Sequence, residues 1–446
     1  MIPIVTPEEM AAVDAAAPEP EATLIDRAGR AVARTALEML GGAYGRRVVV
    51  VAGPGNNGAD GRVAAEHLER RGVRCVVLPP GVDSPLPTAD LVIDAAFGTG
   101  LSRPYGFPAV VPGVQVLAVD IPSGVDGLTG ERLGEPVAAD RTVTFAALKP
   151  GLVLEPGREL AGEVRVADIG LDVGRCRRHL VTDADVASWL PVAPADDHKW
   201  RSAVRIVAGS PGMTGAAHLA SRAAQRTGAG YVQLASPGLD TDPAAPTEAV
   251  GYPLPADDWA PRALADLGRV RALLVGPGLG AGARANVIGV LEAPCPLVLD
   301  GDALTADTAA ALADRAAPTV LTPHDGEWRR LGGSPDADRL GATAALAEAS
   351  RSVVIRKGPT TVVASPDGRV RVVVSGDRRL ARAGTGDVLA GIVVALLGRG
   401  VDPFDAATAA CHLHGRAGAL VGDGLIASDL PGALPAAVAA IVGDHA

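Results

Sequence analysis

Aromatic side chains are scarce in this sequence: only 3% of its 446 residues are Phe, Trp or Tyr, although 48% are hydrophobic. Its cores must therefore be built from Ala, Val, Leu and Ile. The apolar share is large enough for each half to bury a core of its own. Cysteine is also rare. Cys75, Cys176, Cys295 and Cys411 stand far apart and form no Cys-x-x-Cys pair, so reduced thiols in a cytoplasmic protein are expected rather than a disulfide framework. No clustered basic run accompanies the net charge of −10, which argues against a nucleic-acid partner. The opening Met1-Ile2-Pro3-Ile4 lacks the basic and apolar regions of a leader. No segment approaches the ~20 apolar residues of a membrane span, so no membrane partner is expected. The acidic balance leaves anionic ligands possible, because backbone N–H groups at helix starts hold phosphate without a cationic surface.

What is present is alternation. Helices are expected at Pro7–Ala16 and Glu21–Leu40; in the second, Leu24, Ala28, Val32, Ala36 and Met39 recur at helical spacing. An apolar strand, Arg46–Ala52, precedes a glycine-rich loop and a helix from about Asp60 to Arg71. Further strands follow at Arg74–Leu78, Leu91–Ala95, Val116–Asp120 and Thr142–Phe145. Such continuous apolar runs suit a parallel sheet covered on both faces. The Pro- and Asp-rich stretch Leu190–Asp197 has no period, which places a boundary between about Arg178 and Asp197. Beyond it the alternation restarts: Val204–Ala208, a helix Gly215–Thr227, then Tyr231–Ala235, Ala272–Val275, Leu297–Leu299, Thr319–Leu321 and Ser352–Arg356. Thr360–Ala364 and Val370–Val374 flank Ser365-Pro366-Asp367-Gly368 as a hairpin. Helices Gly386–Leu397 and Phe404–Leu420 close the chain. The two halves read as two different α/β domains.

In the first half, the strand Val48–Ala52 runs into Gly53-Pro54-Gly55-Asn56-Asn57-Gly58-Ala59-Asp60-Gly61. A strand, a glycine loop and a helix start make an anion site. A plain tight turn explains the glycines equally well, and the Asn pair favours a ligand. Two more strand ends carry polar groups, Asp94 before Phe97-Gly98-Thr99-Gly100-Leu101 and Asp120 before Ile121-Pro122-Ser123-Gly124. Ligands of open α/β sheets bind where such loops converge. Each Asp follows an apolar run, so each should be partly buried and in need of a partner. Asn57, Asp94 and Ser123 offer oxygen ligands to a hard cation.

In the second half, Ala383-Gly384-Thr385-Gly386-Asp387 opens a helix. Its N–H groups can cradle a phosphoryl group in transit, and Asp387 can serve as a general base toward a substrate hydroxyl. An acidic first turn is common in any helix, but its Gly-Thr-Gly setting is less so. Gly276-Pro277-Gly278-Leu279-Gly280, Thr322-Pro323-His324-Asp325-Gly326-Glu327 and Arg356-Lys357-Gly358-Pro359-Thr360-Thr361 also follow strands. His324 has no Cys or His at ligand spacing, and His412 and His414 cannot face one ion together, so a histidine metal site is not expected.

Taken in order, these strings resemble the bifunctional NAD(P)H-hydrate repair enzymes along nearly the whole chain. The resemblance implies a Rossmann-like three-layer α/β/α epimerase domain over residues 1–180 and a ribokinase-like α/β dehydratase domain over residues 185–446. It implies that the first interconverts the R and S hydrates of NADH or NADPH and binds K⁺ through Asn57, Asp94 and Ser123. Asn56, Asn57, Gly58, Ala59, Asp60, Gly98, Thr99, Gly100, Leu101, Ser102, Arg103, Pro104 and Asp120 would hold the hydrate, with Asp120 as acid–base. The second domain would dehydrate the S form with ADP or ATP and Mg²⁺. There Ala216, Gly278, His324 and Asp387 would hold the hydrate, with Asp387 as the base. Lys357, Gly358, Pro359, Thr360, Thr361 and Gly386 would hold the adenine nucleotide. A homo-oligomer is expected.

The chain departs from the pattern at Ala59, where a second glycine is usual, and at Gly301, where Ala is usual. It also departs after Lys199, which lacks a following glycine, and at Ala383. None of these removes a named polar group. Two other readings remain: a small-alcohol kinase acting on a thiazole or pyrimidine vitamin precursor, and a first domain that binds without catalysing.

Overall fold

The computed structural model describes residues 1–82, 85–333 and 338–443. It divides into two compact units, Ile2–Arg178 and His179–Ala446. The Pro- and Asp-rich stretch Leu190–Asp197 lies inside the second.

The first unit is built on six parallel strands ordered Arg74–Leu78, Arg47–Ala52, Leu91–Ala95, Gln115–Val119, Arg141–Phe145 and Glu163–Ala167. Alternate residues of Arg47–Ala52 face opposite sides. Val48, Val50 and Ala52 join a core with Ala28, Val32 and Ala36 of the helix Glu21–Leu40 and Ala64, Ala65 and Leu68 of the helix Asn56–Glu69. Val49 and Val51 pack with Leu86, Val116 and Ala118 and with Phe97, Tyr105 and Phe107 from the connecting segments. The strand order reverses between Arg47–Ala52 and its two neighbours. The carboxyl ends beside that reversal are where an open α/β sheet leaves a crevice.

The helix expected from about Asp60 begins earlier, at Asn56, with Gly55 as its N-cap. Asn and Gly read as loop formers in isolation. Here Asn56 is held by a contact far away in sequence, its Nδ2 donating to Glu21 Oε1 at 2.9 Å. Ala59 therefore sits in a helix with ordinary i→i−4 bonding, its N–H donating to Gly55 at 3.0 Å, and needs no glycine freedom.

In the second unit, seven strands run parallel in the order Val353–Arg356, Thr319–Leu321, Leu297–Leu299, Ala272–Val275, Ala203–Val207, Tyr231–Ala235 and Ala249–Gly251. The hairpin Thr361–Ala364/Val370–Val373 adds antiparallel strands beside Val353–Arg356. Helices Thr214–Arg226, Thr385–Gly398, Pro403–Val421 and Leu430–Gly443 share one core with the sheet. Every residue from Val388 to Gly398 is buried, as befits a helix that is apolar all round. The last helix was not expected, because Pro431, Gly432 and Pro435 read as breakers. Burial of Leu430, Leu434, Ala437 and Ile441 against that core outweighs their propensity. Among the described residues, no helix is long and apolar enough to cross a membrane.

Candidate active sites

In the first unit the loops after three parallel strands converge on a cleft of about 950 Å³. Of the expected residues, Asn56, Asn57, Asp60, Gly98, Thr99, Gly100, Leu101, Ser102, Arg103 and Asp120 line it; Gly58, Ala59 and Pro104 do not. The helix that starts at Asn56 has no side-chain cap, so its first N–H groups are available to an anion.

Asp120 sits in the left-handed region at φ +65°, a conformation that costs a non-glycine residue about 1–2 kcal/mol. Its Oδ1 accepts from Lys149 Nζ at 2.5 Å and Thr144 Oγ1 at 3.0 Å. A Cβ on Gly98 would come within 3.3 Å of its other oxygen, Oδ2. Lys149, only 1% exposed, also donates to Thr144 Oγ1 at 2.8 Å and Phe145 O at 3.2 Å. Asp60 lies alongside. Burial first, then the charges of Asp120 and Asp14, push it up to about 8, so it carries a proton at neutrality. Asp14 is raised mainly by burial. Lys149 and Asp14 were missed in the sequence. Lys149 is a lone charge in Ala147-Leu148-Lys149-Pro150, and only its tertiary partners give it meaning.

Asp94 and Ser123 lie beneath the cleft, both 0% exposed. Asp94 accepts from Ser123 N at 2.7 Å, Ser123 Oγ at 2.5 Å and Ala96 N at 3.2 Å. Burial pushes it up to about 6 against those bonds. The pair ties two strand ends together, a structural role in its own right. Among the described residues, neither polar side-chain atom of Asn57 nor the Tyr105 hydroxyl, all buried, has a hydrogen-bond partner. Burial, then the Asp94 charge, raises that phenol. Orphaned buried oxygens, one of them on Tyr105, near enough to feel the Asp94 charge, are donors of the kind that suits a hard cation.

In the second unit, Gly384 is the N-cap of the helix Thr385–Gly398, at φ +88° and with no side-chain cap. A Cβ there would meet Leu219 Cδ1 at 2.6 Å and Ala427 Cβ at 3.0 Å. Thr385 Oγ1 ties the preceding turn, donating to Leu380 O at 2.7 Å and Arg382 O at 2.9 Å. Lys357 lies beside Gly386, its Nζ 3.2 Å from where a Gly386 Cβ would be. That Nζ donates to Asp300 Oδ1 at 3.0 Å and lies 3.5 Å from Glu327 Oε2. Burial opposes the ammonium, but Asp300 and Glu327 raise its pKa overall. Thr322 Oγ1 donates to the same Asp300 oxygen at 2.5 Å. Asp387 is pushed up to about 7, by burial first and then Asp300, with Lys357 working against the rise.

Other expected residues gather by loop. Gly278 stands against Ala216, whose Cβ is 3.1 Å from where a Gly278 Cβ would be, and Ser210 Oγ donates to Gly278 O at 3.0 Å. His324 is the N-cap of the helix Asp325–Arg330, its Nδ1 accepting from Gly326 and Glu327. Lys357, Gly358, Pro359 and Thr360 form the turn between two strands, and Thr361 opens the second of them. Arg339 Nη2 donates to Lys357 O at 2.7 Å and fills the space a Gly358 side chain would need.

Residues 204–435 match the family described as NAD(P)H-hydrate dehydratase, and residues 21–84 and 75–151 match the YjeF-related protein N-terminus. A bifunctional NAD(P)H-hydrate repair enzyme of Moorella thermoacetica is 37% identical over 93% of this chain and 92% of its own. The chain belongs to this bifunctional family. The corresponding enzyme of Mycobacterium tuberculosis is 39% identical over 87% of each chain. Among solved structures, an ADP/ATP-dependent NAD(P)H-hydrate dehydratase from Bacillus subtilis, co-crystallised with ATP/Mg²⁺, is 31% identical at a TM-score of 0.52. It covers 58% of this chain and 97% of that one. Both units are thus accounted for, which the vitamin-precursor kinase reading does not do.

Proposed function

We propose that this enzyme repairs hydrated NADH and NADPH, the first unit exchanging the R and S hydrates and the second dehydrating the S form with an adenine nucleotide. One observation carries this reading: the Asp387 carboxylate at an uncapped helix start, beside the half-buried Lys357. A hydroxyl is a poor leaving group. Asp387 takes the proton of the substrate hydroxyl as its oxygen attacks the terminal phosphoryl group. The N–H groups at Gly386 and Asp387 receive the charge that moves with that group. Phosphate then leaves as the ring nitrogen donates its electron pair, and loss of a ring proton restores the dihydronicotinamide. Lys357 with Gly358–Thr361 is the place for the nucleotide, and Ala216, Gly278 and His324 for the hydrate.

Bound Mg²⁺ supplies charge neutralisation for the polyphosphate and needs few protein ligands, since phosphate oxygens and water complete its shell. Asp300, Asp302 and Glu327 are the carboxylates available to it. In the first unit Asn57, Asp94 and Ser123 would hold K⁺, which compensates the buried carboxylate. The test is to supply mixed hydrate epimers, Mg²⁺ and ADP or ATP, and to follow the absorbance of the regenerated dihydronicotinamide. Full conversion is expected. Asp387→Ala should stop dehydration and leave epimer exchange running; loss of both would overturn the assignment of two separate sites.

A further inference from the structure

The floor of the first unit's cleft gathers Asp14, Asp60 and Asp120 around a single ammonium, Lys149, with Glu21 near the rim. Carboxylates are poor company for a dinucleotide's phosphates, which the uncapped helix start at Asn56 suits better. Asp120, paired with Lys149, suits positive charge instead, whereas Asp60, which keeps its proton, does not add to this. Epimer exchange generates such a charge. The hydroxyl on the carbon beside the ring nitrogen takes a proton and leaves as water, the nitrogen's electron pair forms a C=N⁺ bond, and water re-adds to either face and gives a proton back. One water leaves and one returns, so no oxidant or nucleotide is consumed.

Resting on the epimerase reading above, we infer that Lys149 and Thr144 are positioning residues for this exchange. They clamp Asp120 Oδ1 so that Oδ2, on the Gly98 side, faces the carbon that becomes cationic. Lys149 has three N–H donors, and Asp120, Thr144 and Phe145 take all three. It has none left to protonate a leaving hydroxyl, so it acts through Asp120. Thr144 is fully buried and bridges the same two groups. The Asp120 backbone is fixed as well, its N–H donating to Val143 O at 2.7 Å.

The experiment is a double-mutant cycle on epimer exchange in the full-length chain, with kcat and KM measured separately. Lys149→Met should lower kcat by about 100-fold and Thr144→Val by about tenfold, each with KM nearly unchanged. Lys149→Arg should recover part of the loss. In an Asp120→Asn background either change should cost almost nothing more. Exchange that survives Lys149→Met, losses that multiply with Asp120→Asn, or an effect confined to KM would each overturn the inference. Should Lys149→Met fail to fold, the Thr144→Val/Asp120→Asn pair decides on the same criteria. An unsubstituted chain without exchange would instead overturn the epimerase reading itself.

Discussion

Replacing Asp387 with asparagine should make the second unit more stable above neutrality while ending dehydration. Folding buries this carboxyl among Asp300, Glu327 and Asp302 and raises its pKa from the ordinary 3.8 to about 7, despite Lys357. Between those two values the unfolded chain has released the proton and the folded one still holds it. Stability contributed by the neutral acid is therefore complete below pH 3.8, declines as the pH rises, and is gone above about 7. At 1.36 kcal/mol per pH unit the loss reaches about 4 kcal/mol; coupling to Lys357 brings the expected gain for the neutral amide to about 2–4 kcal/mol at pH 8. Urea unfolding followed by tryptophan fluorescence reads this unit alone, since Trp189, Trp200, Trp259 and Trp328 all lie within it. The gap between variant and parent should shrink toward zero at pH 4. Equal midpoints at pH 8, or a gap indifferent to pH, would refute the reasoning. Dehydration should fall about 1,000-fold in the same variant.

The acid limb of dehydration, measured as kcat/KM, should lie near pH 7, because Asp387 must be ionised to accept a proton and its pKa stands at about 7. Gly384→Ala should destabilise the second unit by about 2–4 kcal/mol and abolish dehydration, since it forces a side chain into both a left-handed backbone and Leu219. Thermal or urea unfolding beside a dehydration assay checks it. Potassium should slow hydrogen exchange in residues 91–125 by about 1.4 kcal/mol at tenfold excess over Kd, and sodium less. Asn57→Leu should remove that protection; equal protection in the variant would take Asn57 out of the ion's shell.

Much of the architecture is legible in the sequence because a strand buried on both faces leaves an unbroken apolar run. Leu91–Ala95, Tyr231–Ala235 and Thr319–Leu321 lie where those runs place them. Local signals fail where a distant partner decides. Asn56 begins a helix because Glu21 takes its amide. The helix Leu430–Gly443 accepts Pro435 because its apolar face has a core to join. The polar constellations followed the same division. Asp120, Asp94 and Asp387 announce themselves at strand or helix ends, whereas Lys149, a lone cation in an apolar run, acquires its role only when Asp120 and Thr144 meet it.

The helix Thr385–Gly398 makes the candidate base the half-buried tip of a rod embedded in the unit's interior. Aim and packing are then one property. Trimming Leu219, or enlarging Ala427, both placed against Gly384, would swing the tip before it melted the unit. Evolution of this site toward other alcohols should accordingly run through apolar residues that never meet a substrate.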